Sequence, residues 1–304
     1  MTVTDPSLSL VEAAVPVQGR SRMPAFLRRY LRNRVSVAAL IVFLLILVFA
    51  FVGPMVWKYS FDVFTDDNSQ PPSLDHPFGT DSSGYDTLAQ VMRGTQRSVQ
   101  IALFVALTAT IIGAVVGALA GYYGKLVDAV IMRIVDLVLV FPSVAVAAVL
   151  AYMSMGTETS WITIAIVLSL LAWPIVARVV RSTALTLAGT EYVQAARGAG
   201  ATDLSIIVRH LIPNSMGTIT VAVTVLTATA ILSETSLSYL GFGVQPPDTS
   251  LGLLIANAQA AIITRPWIFY FPGFFIILIA LTSSFIGDGL RRALDPRQSA
   301  GAGS

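Results

Sequence analysis

Three ionisable residues, Arg133, Asp136 and Glu234, stand inside long apolar stretches of the sequence, where burial of a charge is costly unless it is paired or hydrated. Their chemistry would be ion pairing or proton carriage. Arg133 and Asp136 are three apart on one helix face and can pair with each other, and Arg133 lies near enough to a helix end to snorkel. We read them as a structural pair. Glu234 has no partner nearby in sequence. The two histidines, His76 and His210, fall on opposite sides of the apolar stretches, which supports neither a bis-His haem nor an intramembrane His–Glu metal centre. The chain has no cysteine, so disulfides, thiolate catalysis and cysteine-held zinc or iron–sulfur clusters are excluded. No HExxH, GxSxG or phosphate-cradling glycine loop with Lys-Ser/Thr occurs either. Any ATP hydrolysis must therefore reside in another chain.

The elements that must hold these groups follow from composition. Of 304 residues, 55% are hydrophobic and only 12% charged, against about 25% charged in soluble domains; mean hydropathy is +0.75. Nineteen Lys+Arg against seventeen Asp+Glu leave a net charge of +2, too small to argue for nucleic acid. The chain reads as an all-α integral membrane protein. A span needs roughly 20 mainly apolar residues, because lipid offers no partner for free backbone groups. Six stretches qualify, at about Val35 to Val56, Val99 to Gly121, Ala129 to Met153, Trp161 to Ala177, Ser215 to Leu240 and Trp267 to Ile286. Pro174 near the end of the fourth reads as a kink or an exit signal. Gly113, Gly117 and Gly121 form a small-residue ladder on which a second helix backbone can approach closely.

Residues 1–34 form a basic tail. Its start lacks the apolar core and cleavage site of a removed signal peptide, and Arg20, Arg22, Arg28, Arg29, Arg32 and Arg34 stand directly before the first span (35–56). The positive-inside rule keeps this end in the cytoplasm. Six spans return the tail 291–304 to the same side with Arg291, Arg292 and Arg297, and Lys125, Arg178, Arg181, Arg197 and Arg209 also fall there. Outside lie only Lys58, Arg93, Arg97 and Arg265. The external segment 57–98 is acidic, and within it Tyr85 to Arg93 reads as a short interfacial helix bearing Leu88, Val91 and Met92, closed by Gly94. A core of 99–290 holds the other five spans. In it the external segment 241–266, with Pro246-Pro247, is expected to cover an outer mouth.

Residues 178–213 read as a cytoplasmic loop of two short helices broken at a glycine turn. In the first, Tyr192, Ala195, Ala196 and Ala199 make a stripe of small residues with one aromatic at its edge, and Gly198 and Gly200 end it. Thr202 can cap the second, in which Leu204, Ile207, Val208 and Leu211 show helical spacing until Pro213. A small-residue face suits a docking partner. The same pattern also suits packing beneath the membrane domain, and spacing alone leaves both open.

Gln194-Ala195-Ala196, then Gly200, then Ile212-Pro213, resembles the EAA loop of binding-protein-dependent ABC importer permeases, Glu-Ala-Ala-x3-Gly-x9-Ile-x-Leu-Pro. Gln194 replaces Glu, His210 replaces Ile and Ile212 replaces Leu. The wider strings Glu191 to Gly200 and Ile207 to Asn214 are similar to the variant in peptide-type permeases. His76-Pro77-Phe78-Gly79-Thr80-Asp81, with Gly84 and Asp86, resembles the external motif of the C-type subunit of dipeptide and oligopeptide permeases, with Tyr85 where that family usually has Arg. Met132-Arg133 with Asp136 and Phe141-Pro142, the run Glu234 to Pro247, and Gly287 to Arg291 with Leu294-Asp295-Pro296 agree in order and spacing.

The resemblance implies a type I ABC importer permease fold with both termini cytoplasmic, multi-pass in the bacterial inner membrane. It implies a second paralogous permease subunit, two cytoplasmic ATPases that carry the ATP and Mg, and an extracellular substrate-binding protein that delivers peptide. This chain itself would bind membrane lipid but no cofactor, metal or nucleic acid, and would not be an enzyme. Glu191, Tyr192, Gln194, Ala195, Ala196, Arg197, Gly198, Gly200 and Asp203 would couple to the ATPase; His76, Pro77, Gly79, Asp81 and Asp86 form the external motif. Glu234 would touch the translocation path or hydrogen-bond the loop Gly241 to Pro247, and both readings stand. The external acids would attract a peptide amine or a basic patch on the binding protein, or remain solvated. Nickel complexes or haem are the alternative cargo; an ion-coupled secondary transporter using Glu234 or Asp136, a membrane enzyme and a channel are the rival classes.

Overall fold

The computed structural model describes residues 25–153 and 160–294. Arg20, Arg22, Asp295, Pro296 and Arg297 lie outside the described residues. In chain order, α1 (Ala25–Arg32) turns through Asn33 into α2 (Arg34–Phe51), where the Asn33 side chain accepts the Ser36 N–H at 3.4 Å and so fills the cap position. A single turn, α3 (Gly53–Val56), follows. The longest element, α4 (Thr87–Tyr123), has 37 residues and is about 55 Å long at 1.5 Å per residue. It turns at Gly124, φ +59°, into α5 (Lys125–Val140). Then come α6 (Ser143–Met153), α7 (Ser160–Ala188), α8 (Glu191–Gly198) and α9 (Asp203–Ile206). A π turn, Ile207–Leu211, leads through α10 (Ile212–Asn214) to α11 (Met216–Tyr239). Last are α12 (Leu251–Ala258) and α13 (Trp267–Leu294). Among the described residues extended pairing is limited to two isolated bridges, Phe64 with Tyr85 and Thr80 with Asp86.

Five helices are long and apolar enough to cross a membrane, or six if α5 and α6 make one bent span. The third span, expected over Ala129 to Met153, is bent: α5 and α6 meet at 78°, because Pro142 brings no N–H and disfavours helix at the residue before it. Phe141 accordingly sits extended at φ −73°, ψ 136°. Pro174 does the reverse of what an exit signal would. α7 continues through it for fourteen more residues to Ala188, so Arg178 and Arg181 lie on a helix rather than in a loop. The short interfacial helix from Tyr85 to Arg93 is corrected too. Thr87 to Arg93 open α4, and Leu88, Val91 and Met92 are buried at 8%, 0% and 5% exposure instead of facing lipid. Gly94 does not close a helix; a Cβ there would come within 3.0 Å of the Ser250 and Leu251 backbone, so the glycine admits the α12 start.

The bundle is built around the α4–α7 pair. A Cβ on Gly113 would lie 2.5 Å from Val176 Cβ, on Gly117 2.4 Å from the Ala177 carbonyl oxygen, and on Gly121 2.6 Å from Ala184 Cβ. The glycine ladder therefore lies against α7 backbone with no space for a side chain. One end of the bundle, the loop end, carries residues 57–86 and 241–266; the other, the hairpin end, carries 189–214. Two apolar clusters fill these halves, one around Val105, Ile164, Ile231 and Ile279, the other around Tyr122, Val180, Val193, Ile206 and Leu211.

Gly117→Ala is expected to destabilise the protein in detergent by about 2 kcal/mol through overpacking, whereas Gly198→Ala, which meets no atom within 4 Å, is expected to be near neutral. Thermal unfolding of both variants checks this; equal melting temperatures would show that the close approach is not required.

Candidate functional site

At the hairpin end, α8 and α9 fold back on one another around a glycine turn. Gly200 has φ +81°, the left-handed conformation that costs other residues about 1–2 kcal/mol. Its N–H donates to Arg197 O at 3.1 Å and the Ala201 N–H to Ala196 O at 3.1 Å, the two bonds of a Schellman termination. Thr202 then caps α9 by accepting the Ser205 N–H at 3.4 Å. Inside the hairpin only Val193, Ile206, Ile207 and Leu211 are fully buried. The expected second stripe is corrected: Leu204 and Val208 are 68% and 52% exposed. Ile206 and Leu211 are five apart, the repeat of the π turn that replaces regular α-helix there.

Away from that core, Glu191, Tyr192, Gln194, Ala195, Arg197, Gly198 and Gly200 are exposed on one side, with Ala196 half-buried. Glu191 occupies the first turn of α8 and Arg197 the last, each favourable to the helix dipole. Gln194 Nε2 donates to Gly189 O at 3.3 Å, and Tyr192 lies 6.3 Å from the His210 ring. The hairpin is not loose. Asp203 accepts the Tyr122 hydroxyl at 2.6 Å, and the Arg197 guanidinium lies 5.2 Å from the Tyr122 ring centroid. Below it, Arg181 on α7 forms a two-pronged ion pair with Asp128 on α5.

The expected Arg133–Asp136 pair is replaced. Asp136 instead binds Arg178 on α7 at 2.5 Å, while Arg133 is exposed. The neighbouring helix thus supplies the partner, a contact that spacing within one helix could not reveal.

At the loop end the motif His76, Pro77, Gly79, Asp81 and Asp86 makes a clamp on the start of α4. Asp86 is fully buried and caps that helix: its Oδ1 accepts from Ala89 N–H at 2.8 Å and from Trp57 Nε1–H at 3.0 Å, while His76 Nδ1 lies 2.7 Å from Oδ2. Tyr59 stacks on His76 at 4.5 Å. Gly79, at φ +71°, brings the chain against the Trp267 indole, whose N–H donates to Thr80 O at 3.2 Å. Asp81 accepts the Ser83 and Tyr85 N–H groups at 2.8 and 3.0 Å, closing the turn. Pro77 is half-buried. Phe78 stacks on Phe271 of α13 at 3.9 Å.

Glu234 is buried at 0% exposure between these ends. Its Oε1 accepts from the Ser250 and Ser238 hydroxyls at 2.6 and 2.7 Å and its Oε2 from Ser98 at 3.2 Å. Ser98 Oγ accepts Leu251 N–H, and Ser250 Oγ accepts Leu253 N–H. Three hydroxyl donors therefore converge on an acceptor-only carboxylate, tying α4, α11 and the start of α12 together. The expected hydrogen bond to the loop Gly241 to Pro247 is replaced by bonds from Ser98, Ser238 and Ser250, the last at the cap of α12 beyond that loop. Arg93 and Arg97, one turn apart, both bind Asp248, at 2.9 and 2.5 Å. Sequence reasoning passed over Ser98, Ser250, Tyr122 and this arginine pair. The i, i+4 spacing of the two arginines was the visible signal; the serines and Tyr122 had none. Among the described residues no group of three His, Asp or Glu side chains is placed to hold a metal ion.

Glu234→Ala would leave three buried hydroxyls without their acceptor, and is expected to cost about 3 kcal/mol; Glu234→Gln, which keeps one acceptor oxygen, is expected to cost less. Melting temperatures in detergent that rank the two variants equally would contradict the strut.

Comparison with known proteins places this geometry. Residues 113–300 match the family described as binding-protein-dependent transport system inner membrane component, and residues 21–72 match the N-terminal TM domain of oligopeptide transport permease C. The chain is 41% identical over 278 residues to the oligopeptide transport system permease protein OppC of Mycobacterium bovis, covering 91% of this chain and 95% of that protein. It is 38% identical to the Escherichia coli OppC, covering 92% and 93%, and 36% identical to the dipeptide transport system permease protein DppC of Alkalihalophilus pseudofirmus, covering 88% and 87%. An inward-facing structure of the MetNI methionine ABC transporter shares the fold with a TM-score of 0.54 at 19% identity, over 68% of this chain and 96% of that one. The helical bundle with its exposed hairpin is that of a multi-pass inner-membrane permease, and the chain belongs to the family of binding-protein-dependent transport system inner membrane components.

Proposed function

We propose that this chain is one half of the membrane domain of an ATP-driven importer of di- and oligopeptides, paired with a paralogous permease, two cytoplasmic ATPases and an extracellular binding protein. The observation that carries the reading is the 189–206 hairpin: Tyr192, Ala195 and Ala199 are exposed while the hairpin is fixed to the bundle through Val193, Ile206 and the Tyr122–Asp203 bond. Such an element is suited to sit in the groove of an ATPase and to carry its displacement into the helices. The names of the relatives, oligopeptide and dipeptide permeases, support peptide as cargo.

The mechanism follows from rigidity. ATP binding draws the two ATPases together, and each hairpin, seated in one of them, moves as a wedge. Because α7 runs into α8 through only Gly189 and Thr190, and α4 is packed closely on α7 at Gly113, Gly117 and Gly121, the displacement reaches the bundle as rocking of whole helices between inward-open and outward-open states. The basic residues on the hairpin side, among them Lys125, Arg209 and Arg291, favour a cytoplasmic location for that end. A binding protein docks at the opposite end, over 57–86 and 241–266. A secondary transporter carrying protons on Glu234 or Asp136 fits less well. Glu234 is fully enclosed by three serine hydroxyls, and Asp136 is held by Arg178.

Replacing Gly200 by leucine forces a side chain into a left-handed turn without any steric clash nearby. The variant is expected to insert into the membrane normally and to transport about tenfold less peptide per ATP hydrolysed, measured in vesicles holding the full complex. Unchanged uptake would overturn the coupling role, and transport by the purified chain alone in an ion gradient would favour the secondary transporter.

A further inference from the structure

Several of the polar contacts that anchor the loop end to the bundle are made by α4. Asp86 at its N-cap holds His76 and Trp57, Arg93 and Arg97 hold Asp248, and Ser98 holds Glu234 and the Leu251 N–H. The same helix runs unbroken from Thr87 to Tyr123. In its last turn Tyr122, 8% exposed, donates its hydroxyl to Asp203 at 2.6 Å and lies under the Arg197 guanidinium. Arg197 belongs to α8 and Asp203 to α9, so one phenol touches both limbs of the hairpin. Its ring packs in the apolar cluster that contains Val193, Ile206 and Leu211.

An unbroken helix resists axial compression, since shortening it means breaking its own backbone hydrogen bonds. Bending is also restricted here, because Gly113, Gly117 and Gly121 rest on α7 backbone with no clearance. A shift imposed at the loop end can therefore reach Tyr122 about 55 Å away only as a movement of the whole rod. We propose that α4 transmits displacement between the binding-protein face and the coupling hairpin, and that Tyr122 is the positioning residue that keys both limbs of the hairpin to this rod. This deepens the coupling reading above and rests on it. Tyr122 acts through Arg197 and Asp203 and touches neither peptide nor nucleotide. The phenol serves two functions at once: its ring faces the cation of one limb, and its O–H donates a charge-assisted bond to the carboxylate of the other.

The test uses the complete complex in nanodiscs: this chain, its paralogous permease and the ATPases, with and without peptide-loaded binding protein. Tyr122→Phe keeps the ring and removes the donor. The ratio of binding-protein-stimulated to basal ATP hydrolysis is expected to fall about fivefold. Amide hydrogen exchange across residues 191–206 is expected to speed up about tenfold, as for loss of one bond to a charged group. Tyr123→Phe, the same chemical change at an exposed neighbour, is expected to match wild type in both measurements. Asp203→Ala should reproduce the Tyr122→Phe exchange rates, and the double variant should be no faster than Asp203→Ala alone. Wild-type exchange and wild-type stimulation in Tyr122→Phe would overturn the proposal, as would fully additive effects in the double variant. A wild-type complex whose ATP hydrolysis ignores the binding protein would contradict the importer reading instead; the exchange comparison, which needs no nucleotide, would still decide whether Tyr122 keys the hairpin.

Discussion

The close approach of α4 to α7 over three glycines is the constraint on which the rest depends. Lipid is as apolar as a leucine side chain, so burying apolar surface between helices gains little in a membrane, and association must come from dispersion contacts and interhelical polar bonds. Glycine at 113, 117 and 121 brings two backbones into contact along several turns. Once these helices move as one body, elements fastened to either move with them. α8 is fastened to α7 by the chain itself, and α9 to α4 by Tyr122. The loop end is fastened to α4 by Asp86, Arg93, Arg97 and Ser98.

Polar groups in this bundle serve as fasteners. The Glu234 carboxylate faces three hydroxyls, and Asp86 accepts from a helix N-terminus and an indole. A buried carboxylate left unmatched would cost several kcal/mol, so these sites specify one arrangement of the helices around them. The charge distribution adds a second layer. Arg178 and Arg181 look in sequence like loop charges near the cytoplasm, yet they pair with Asp136 and Asp128 across the α5–α7 contact.

Much of the architecture was legible in the sequence because a span must be long, apolar and continuous, and composition records all three. The glycine ladder and the hairpin's turn were visible for a related reason: Gly113, Gly117, Gly121 and Gly200 each mark a place that excludes a side chain or needs a left-handed backbone. The errors share a physical origin as well. Pro142 and Pro174 carry the same local signal, yet the first breaks a helix and the second is absorbed into one, because neighbouring helices decide whether the lost hydrogen bond is tolerated. The start of α4 is polar enough to resemble an interfacial segment, but its apolar face is covered by 57–86 and 241–266. Partners distant in sequence, such as Arg178 for Asp136 or Ser98 for Glu234, leave no periodic trace. In the second limb of the hairpin the π turn shifts the pattern by one residue, which 3.6-residue spacing cannot anticipate.

The central claim is that the exposed side of the hairpin meets an ATPase while its inner side is bound to the bundle. Photo-crosslinking from p-benzoylphenylalanine placed at Ala195, which is exposed, in complexes assembled in native membranes tests it most directly. The account predicts a crosslink from Ala195 to the ATPase subunit that strengthens or weakens with nucleotide. Capture of only this chain or lipid at Ala195, in complexes that still transport, would contradict it.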